Sequence, residues 1–201
     1  MNPHEAIASG RLPWLLREQP ELASAKDANG VSILLLARFH RNPEATAALI
    51  AAGAPITPLE AAALGEVALL EGTDLSVRSG DGFTPLHLAA FFAGPETVKA
   101  ILATGFPADA DAVNRFKVRP IHSAAAAGDH ESVAALLEAG ANPNVQQEGG
   151  YTPLHTAAHN NDSGLVELLL RQGANPAIGD DEGVVPRDMT ADEAVRALFN
   201  P

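Results

Sequence analysis

The chain has 201 residues and sets 13 Lys and Arg against 25 Asp and Glu, a formal net charge of −12. Phosphate backbones and anionic membrane surfaces demand clustered cations, so the composition argues against nucleic acid and membrane partners. Cysteine is absent, which excludes disulfides, zinc-thiolate sites and thiol nucleophiles. Apolar residues make up 46% of the chain but aromatics only 4%. The core must therefore be built from Ala, Leu, Val and Ile, small side chains that suit closely stacked helices.

Taken from the start, Met1-Asn2-Pro3-His4-Glu5 carries no basic stretch followed by an apolar run. No apolar stretch in the chain is long enough to cross a bilayer, and a cytoplasmic location is expected. Residues 3–23, with Trp14, Leu15 and Leu16, are predicted to form a helix pair closing one end of a stack. Ser32-Ile33-Leu34-Leu35-Leu36-Ala37 reads as a helix start without its proline, and Thr57-Pro58-Leu59-Glu60-Ala61-Ala62 as another. These starts lie close together, so the hairpin before Thr57 is predicted to be missing and the helix after Gly65 to be truncated. A regular pattern follows: Thr84-Pro85-Leu86-His87, Arg119-Pro120-Ile121-His122 and Thr152-Pro153-Leu154-His155, echoed at Val185-Pro186. Each tetrapeptide runs into alanines, then an apolar stretch, then a glycine turn such as Gly173-Ala174-Asn175. Thr152 suits an N-cap, and Pro153 suits a first helical turn, where its missing N–H costs nothing. Leu165 to Leu170 supply a second apolar helix face, which one helix pair cannot bury alone.

This pattern resembles the ankyrin family, whose repeat of about 33 residues carries a Thr-Pro-Leu-His-x-Ala signature. Residues 74–187 carry the likeness most strongly. The resemblance implies an all-α solenoid of about six helix-turn-helix units joined by β-hairpin-like loops. It places a single domain over 1–201, with irregular units and a cap over 1–73, three regular repeats over 74–176 and a C-terminal cap over 177–201. The helix of that last cap, within residues 190–199, is expected to turn Val195 and Leu198 inward. The likeness also implies that Thr84, Pro85, His87, Pro120, His122, Thr152, Pro153 and His155 are structural, the histidines bonding within and between repeats. The implied function is protein–protein interaction, as adaptor or inhibitor, through the concave face and hairpin fingers. No catalysis and no cofactor are expected, and a monomer is expected rather than an obligate oligomer.

Two departures from the repeat mark the candidate contact surface. Phe91-Phe92 stand where the other repeats carry Ala126-Ala127 and His159-Asn160. Arg115-Phe116-Lys117-Val118-Arg119 is a basic, aromatic hairpin without the glycines of its counterparts, and Arg119 replaces the capping Thr. Arginine and aromatic side chains dominate interface energies. The expected partner-binding set is Phe83, Phe91, Phe92, Arg115, Phe116, Lys117, Arg119, Tyr151 and His159. The alternative is a metal- or small-ligand-dependent regulator using His155 and His159, four apart on one helix, with Asp162 nearby. Scarce lysine beside abundant Arg and Ala suggests a bacterial source.

Overall fold

Proline in the first turn opens most of the helices, because its fixed φ fits and its missing N–H is an orphan there in any case. The computed structural model describes residues 3–109 and 116–199. Helices pair in order: α1 (Pro3–Ala8) with α2 (Leu12–Glu18), and α3 (Ile33–Phe39) with α4 (Pro43–Ala51). Helix α5 (Pro58–Leu64) is followed only by a 3-10 turn, Val67–Leu69. Then come α6 (Pro85–Phe92) with α7 (Pro95–Ala103), α8 (Pro120–Ala127) with α9 (His130–Glu138), and α10 (Pro153–His159) with α11 (Ser163–Arg171). A 3-10 turn, Pro186–Met189, and α12 (Glu193–Ala197) close the stack.

Two rows result. The inner row runs α3, α5, α6, α8, α10 and the Pro186–Met189 turn, each against the next. The outer row runs α7, α9, α11 and α12, while α4 packs on α2. The buried pairs Ala89-Ala90, Ala124-Ala125 and Ala157-Ala158 let the inner helices approach closely. Leu86, Ile121 and Leu154 are buried beneath them. The apolar core falls into two clusters that meet at α5, with Ala63 on the N-terminal side and Ala61 and Ala62 on the other. In the terminal units, Leu16 and Val195 are buried, whereas Trp14 is 53% exposed beneath the Arg11 guanidinium.

Each outer helix α4, α9 and α11 is capped by Asn42, Asp129 or Asp162, whose side chain accepts an N–H from the first turn at 2.9–3.0 Å. Helix α7 has Gly94 at its N-cap and so no such side-chain bond.

The loops that enter the inner helices form hydrogen-bonded fingers. Asp27 N–H donates to Val31 O, Ser79 to Phe83, Gln147 to Tyr151 and Asp180 to Val184, all at 2.9–3.0 Å. Each finger has a left-handed residue three places before the helix starts: Gly30, Gly82, Gly150 and Gly183. Before α8 that place is taken by Lys117, at φ 50°. A side chain there costs about 1 kcal/mol, since Cβ crowds the following carbonyl. Lys117→Gly is therefore expected to stabilise the fold by about 1 kcal/mol. Paired urea melts check this, and an unchanged or lower midpoint contradicts it.

No finger precedes α5, and the fingers on either side close the gap directly. A Cβ on Gly80 would overlap the Asn29 carbonyl oxygen, so the two backbones touch there. Beneath them lies a cavity of about 230 Å3. The absent finger also explains why leucine replaces the repeat histidine in α3. That histidine elsewhere donates to a carbonyl of the following loop. The unit after α3 has no finger to receive such a bond, and Leu35 stands buried in its place. In α5 the buried Glu60 turns back instead. Its Oε1 accepts from Ser32 Oγ at 2.7 Å, and its Oε2 from the Thr57 N–H at 3.0 Å and the Thr57 hydroxyl.

Candidate functional site

The repeat histidines are ordered by their partners. His87 Nε2–H donates to Val118 O at 3.0 Å, while Nδ1 accepts the Thr84 hydroxyl at 2.8 Å and the Thr84 N–H at 3.3 Å. His122 Nε2–H donates to Val145 O at 3.1 Å and Nδ1 accepts the Arg119 N–H at 3.0 Å. His155 repeats the scheme with Val184 O at 3.0 Å and Thr152 at 2.8 and 3.0 Å. All three are buried. Burial pushes His87 and His122 down from 6.5 to about 4, against the opposing pull of the carbonyls they donate to. His87 and His122 are thus neutral struts, and all three rings tie each helix start to its own cap and to the next loop.

One row of equivalent positions runs along the inner helices. Phe39, Leu64, Phe91, Ala126 and His159 occupy the same place in the last turn of α3, α5, α6, α8 and α10. Phe39, Phe91 and Phe92 meet across the end of α5: Phe39 and Phe92 are edge-on at 5.0 Å, Phe91 and Phe92 at 4.7 Å, and Phe39 and Phe91 lie 6.5 Å apart. Phe92 is held under the Arg38 guanidinium, 5.3 Å above its ring, and Arg38 Nη2 donates to Phe92 O at 3.0 Å. Burial pushes the Arg38 pKa below its ordinary value.

Phe91 instead faces an open apolar pocket of about 190 Å3. Its walls are Phe39, Leu88, Phe91 and Ala126 from the helices, with Phe83 and Val118 from the segments that enter α6 and α8. Phe39 is 39% exposed and Phe91 partly exposed, so the rings that border the pocket are not finished core. A cleft beside it shares Phe91 and is bounded by Arg38, Arg41, Asn42, Pro43, Thr46 and Phe92.

The sequence profile for "Ankyrin repeats (3 copies)" matches residues 59–147 and 86–180, more than half of the chain. The chain belongs to the ankyrin-repeat family. It is also similar to Neurogenic locus notch homolog protein 1 of Xenopus tropicalis, 32% identical over 157 residues, covering 71% of this chain and 6% of that protein. Putative palmitoyltransferase ZDHHC13 of Danio rerio is 31% identical over 156 residues, covering 74% of this chain and 20% of that protein. This ankyrin chain thus spans a fifth or less of the length of these curated relatives.

Within this ankyrin frame, the residues singled out from the sequence separate into groups. Phe83 and Phe91 line the pocket, and Phe92 packs beneath them against the N-terminal core. Phe116 and Lys117 are exposed ahead of α8, where Phe116 O accepts the Glu148 N–H at 2.8 Å. The Arg119 guanidinium donates to Asp109 O, so it braces the loop. Arg115 lies outside the described residues. Tyr151 stands edge-on to His155 at 5.8 Å, one repeat beyond the pocket, and His159 is exposed at the end of α10. The structure thus brings Phe83 and Phe91 together at the pocket, while Tyr151 and His159 belong to the next repeat. Both His155 nitrogens are engaged, and Asp162 pairs with His130 at 2.8 Å, which leaves neither for a metal beside His159. Among the described residues no helix is long and apolar enough to cross a membrane.

Phe39, Arg38 and Arg41 escaped the sequence reading. The signal was present in the register: Ile33 aligns with Pro85, which sets Phe39 on Phe91.

Proposed function

We propose that this ankyrin stack is a protein-interaction module, an adaptor or inhibitor, that docks its partner on the concave face by taking an apolar side chain into the Phe39–Phe91 pocket. Ankyrin repeats are generally protein–protein interaction modules and typically not enzymes. The observation that carries the reading is the row of equivalent positions in which Phe39 and Phe91 stand as large rings beside the small Ala126. Clustered aromatic side chains around an unfilled apolar recess are what interface anchors use. The reading takes the module as a monomer acting in the cytoplasm.

A photoreactive benzophenone side chain placed at Ala126, and separately at Glu131 on the outer helix α9, tests it in cells that make the protein. Ala126 is expected to yield a discrete cross-linked adduct that Glu131 does not. Adducts from Glu131 alone would move the docking surface to the outer row.

A further inference from the structure

Resting on that reading of the concave face, we propose that its occupant is an acidic peptide segment with one large apolar anchor. The anchor fills the Phe39–Phe91 pocket, and the carboxylates beside it meet Arg38 and Arg41.

The argument is one of charge segregation. The chain carries 25 acidic residues against 13 basic ones, yet no Asp or Glu lines either the pocket or the adjoining cleft. The cleft, about 330 Å3 in volume, holds two arginines and shares Phe91 with the pocket. Ion pairs elsewhere join His4 to Asp27, Lys99 to Glu131, His130 to Asp162, Arg171 to Glu167 and Arg196 to Glu193. Neither Arg38 nor Arg41 has a carboxylate partner among the described residues.

Arg38 is also held in place for such a partner. Its ring contact with Phe92 and its Nη2 bond to Phe92 O fix the guanidinium plane, and among the described residues Nη1 meets no hydrogen-bond acceptor. Every equivalent of Arg38 in the inner row is an alanine: Ala63, Ala90, Ala125 and Ala158. A planar, pre-oriented guanidinium suits carboxylate recognition better than a mobile ammonium does. Two arginines in a chain of net charge −12 do not suit a polyanion, which the rest of the surface repels. A short carboxylate-bearing segment with an apolar residue satisfies both halves of the site.

The test is a random-peptide display library selected on the full chain, with the enriched peptides titrated against wild type, Arg41→Glu, Arg38→Gln and Phe91→Ala. Arg41 is exposed, so its replacement leaves the core intact. Enriched peptides are expected to share a Leu, Met, Phe or Trp flanked by Asp or Glu. Their affinity is expected to fall about tenfold in Arg41→Glu and to weaken as salt rises. Peptides that are neutral or basic around the apolar residue, yet still lost in Phe91→Ala, would overturn the acidic occupant and leave the docking face standing. Binding indifferent to both Phe91→Ala and Arg41→Glu, or no enrichment at all, would overturn both.

Discussion

Gly80→Ala is expected to lower the unfolding free energy by about 2–3 kcal/mol, the cost of forcing atoms into a packed contact. Gly80 does not need its glycine for a left-handed turn, since its φ is not in that region. It needs the missing Cβ, because the Asn29 carbonyl of the first finger occupies that space. The contact exists only because no finger stands before α5. Both partners are backbone, so neither can swing aside as a flexible side chain would. Gly53→Ala is the control: it strains a positive φ of 80° but meets nothing within 4 Å, and should cost about 1 kcal/mol. Urea midpoints at unchanged slope compare the two. A Gly80→Ala protein as stable as Gly53→Ala would mean that the outer fingers do not close the gap.

Acid is expected to unfold the protein through its buried histidines. In the unfolded chain these rings take up a proton near 6.5, while in the folded chain His87 and His122 do so only at about 4. Between those values the unfolded state holds more protons, so stability falls as pH falls. It is fully present above about 6.5, and the loss is complete once pH has dropped through about 4. Each histidine contributes about 3 kcal/mol of this loss. A protonated ring also puts an N–H on Nδ1, which faces the Thr84 N–H in one case and the Arg119 N–H in the other. Urea titrations across that window should show the decline, and His122→Gln should be less stable at neutral pH yet show a shallower pH dependence. Stability that stays level from about 6.5 to about 4.5 would contradict the neutral-strut assignment.

Most of the architecture was legible because its causes are local. A proline in the first turn, a histidine two residues on and paired alanines each fix one geometric requirement, and together they mark the inner helices α6, α8 and α10, the first and last of them also with a threonine cap. The N-terminal half was harder to read. Ile33 offers no proline to set the register, so the place of Phe39 opposite Phe91 is visible only once α3 and α6 are superposed on one repeat. The emptiness of the pocket was not legible either. It depends on Phe91 and Phe92 taking different directions, one open and one under Arg38, although they are adjacent and chemically identical. The alternative of a metal at His155 and His159 rests on spacing, which puts both rings on one helix face, while the structure shows which bonds already engage both His155 nitrogens. Lys117 was visible as a missing glycine, but only the structure shows that it takes the left-handed backbone in glycine's place.

The pocket-filling variant Ala126→Trp tests the central claim most directly. Ala126 is exposed at the mouth of the Phe39–Phe91 pocket, so an indole there occupies the recess without disturbing the core. Melting curves and a calorimetric titration with the partner identified by cross-linking are run on the same protein. The account predicts an unchanged melting temperature and affinity weakened at least about tenfold, the loss of one well-buried anchor. Full affinity with the pocket filled would contradict it.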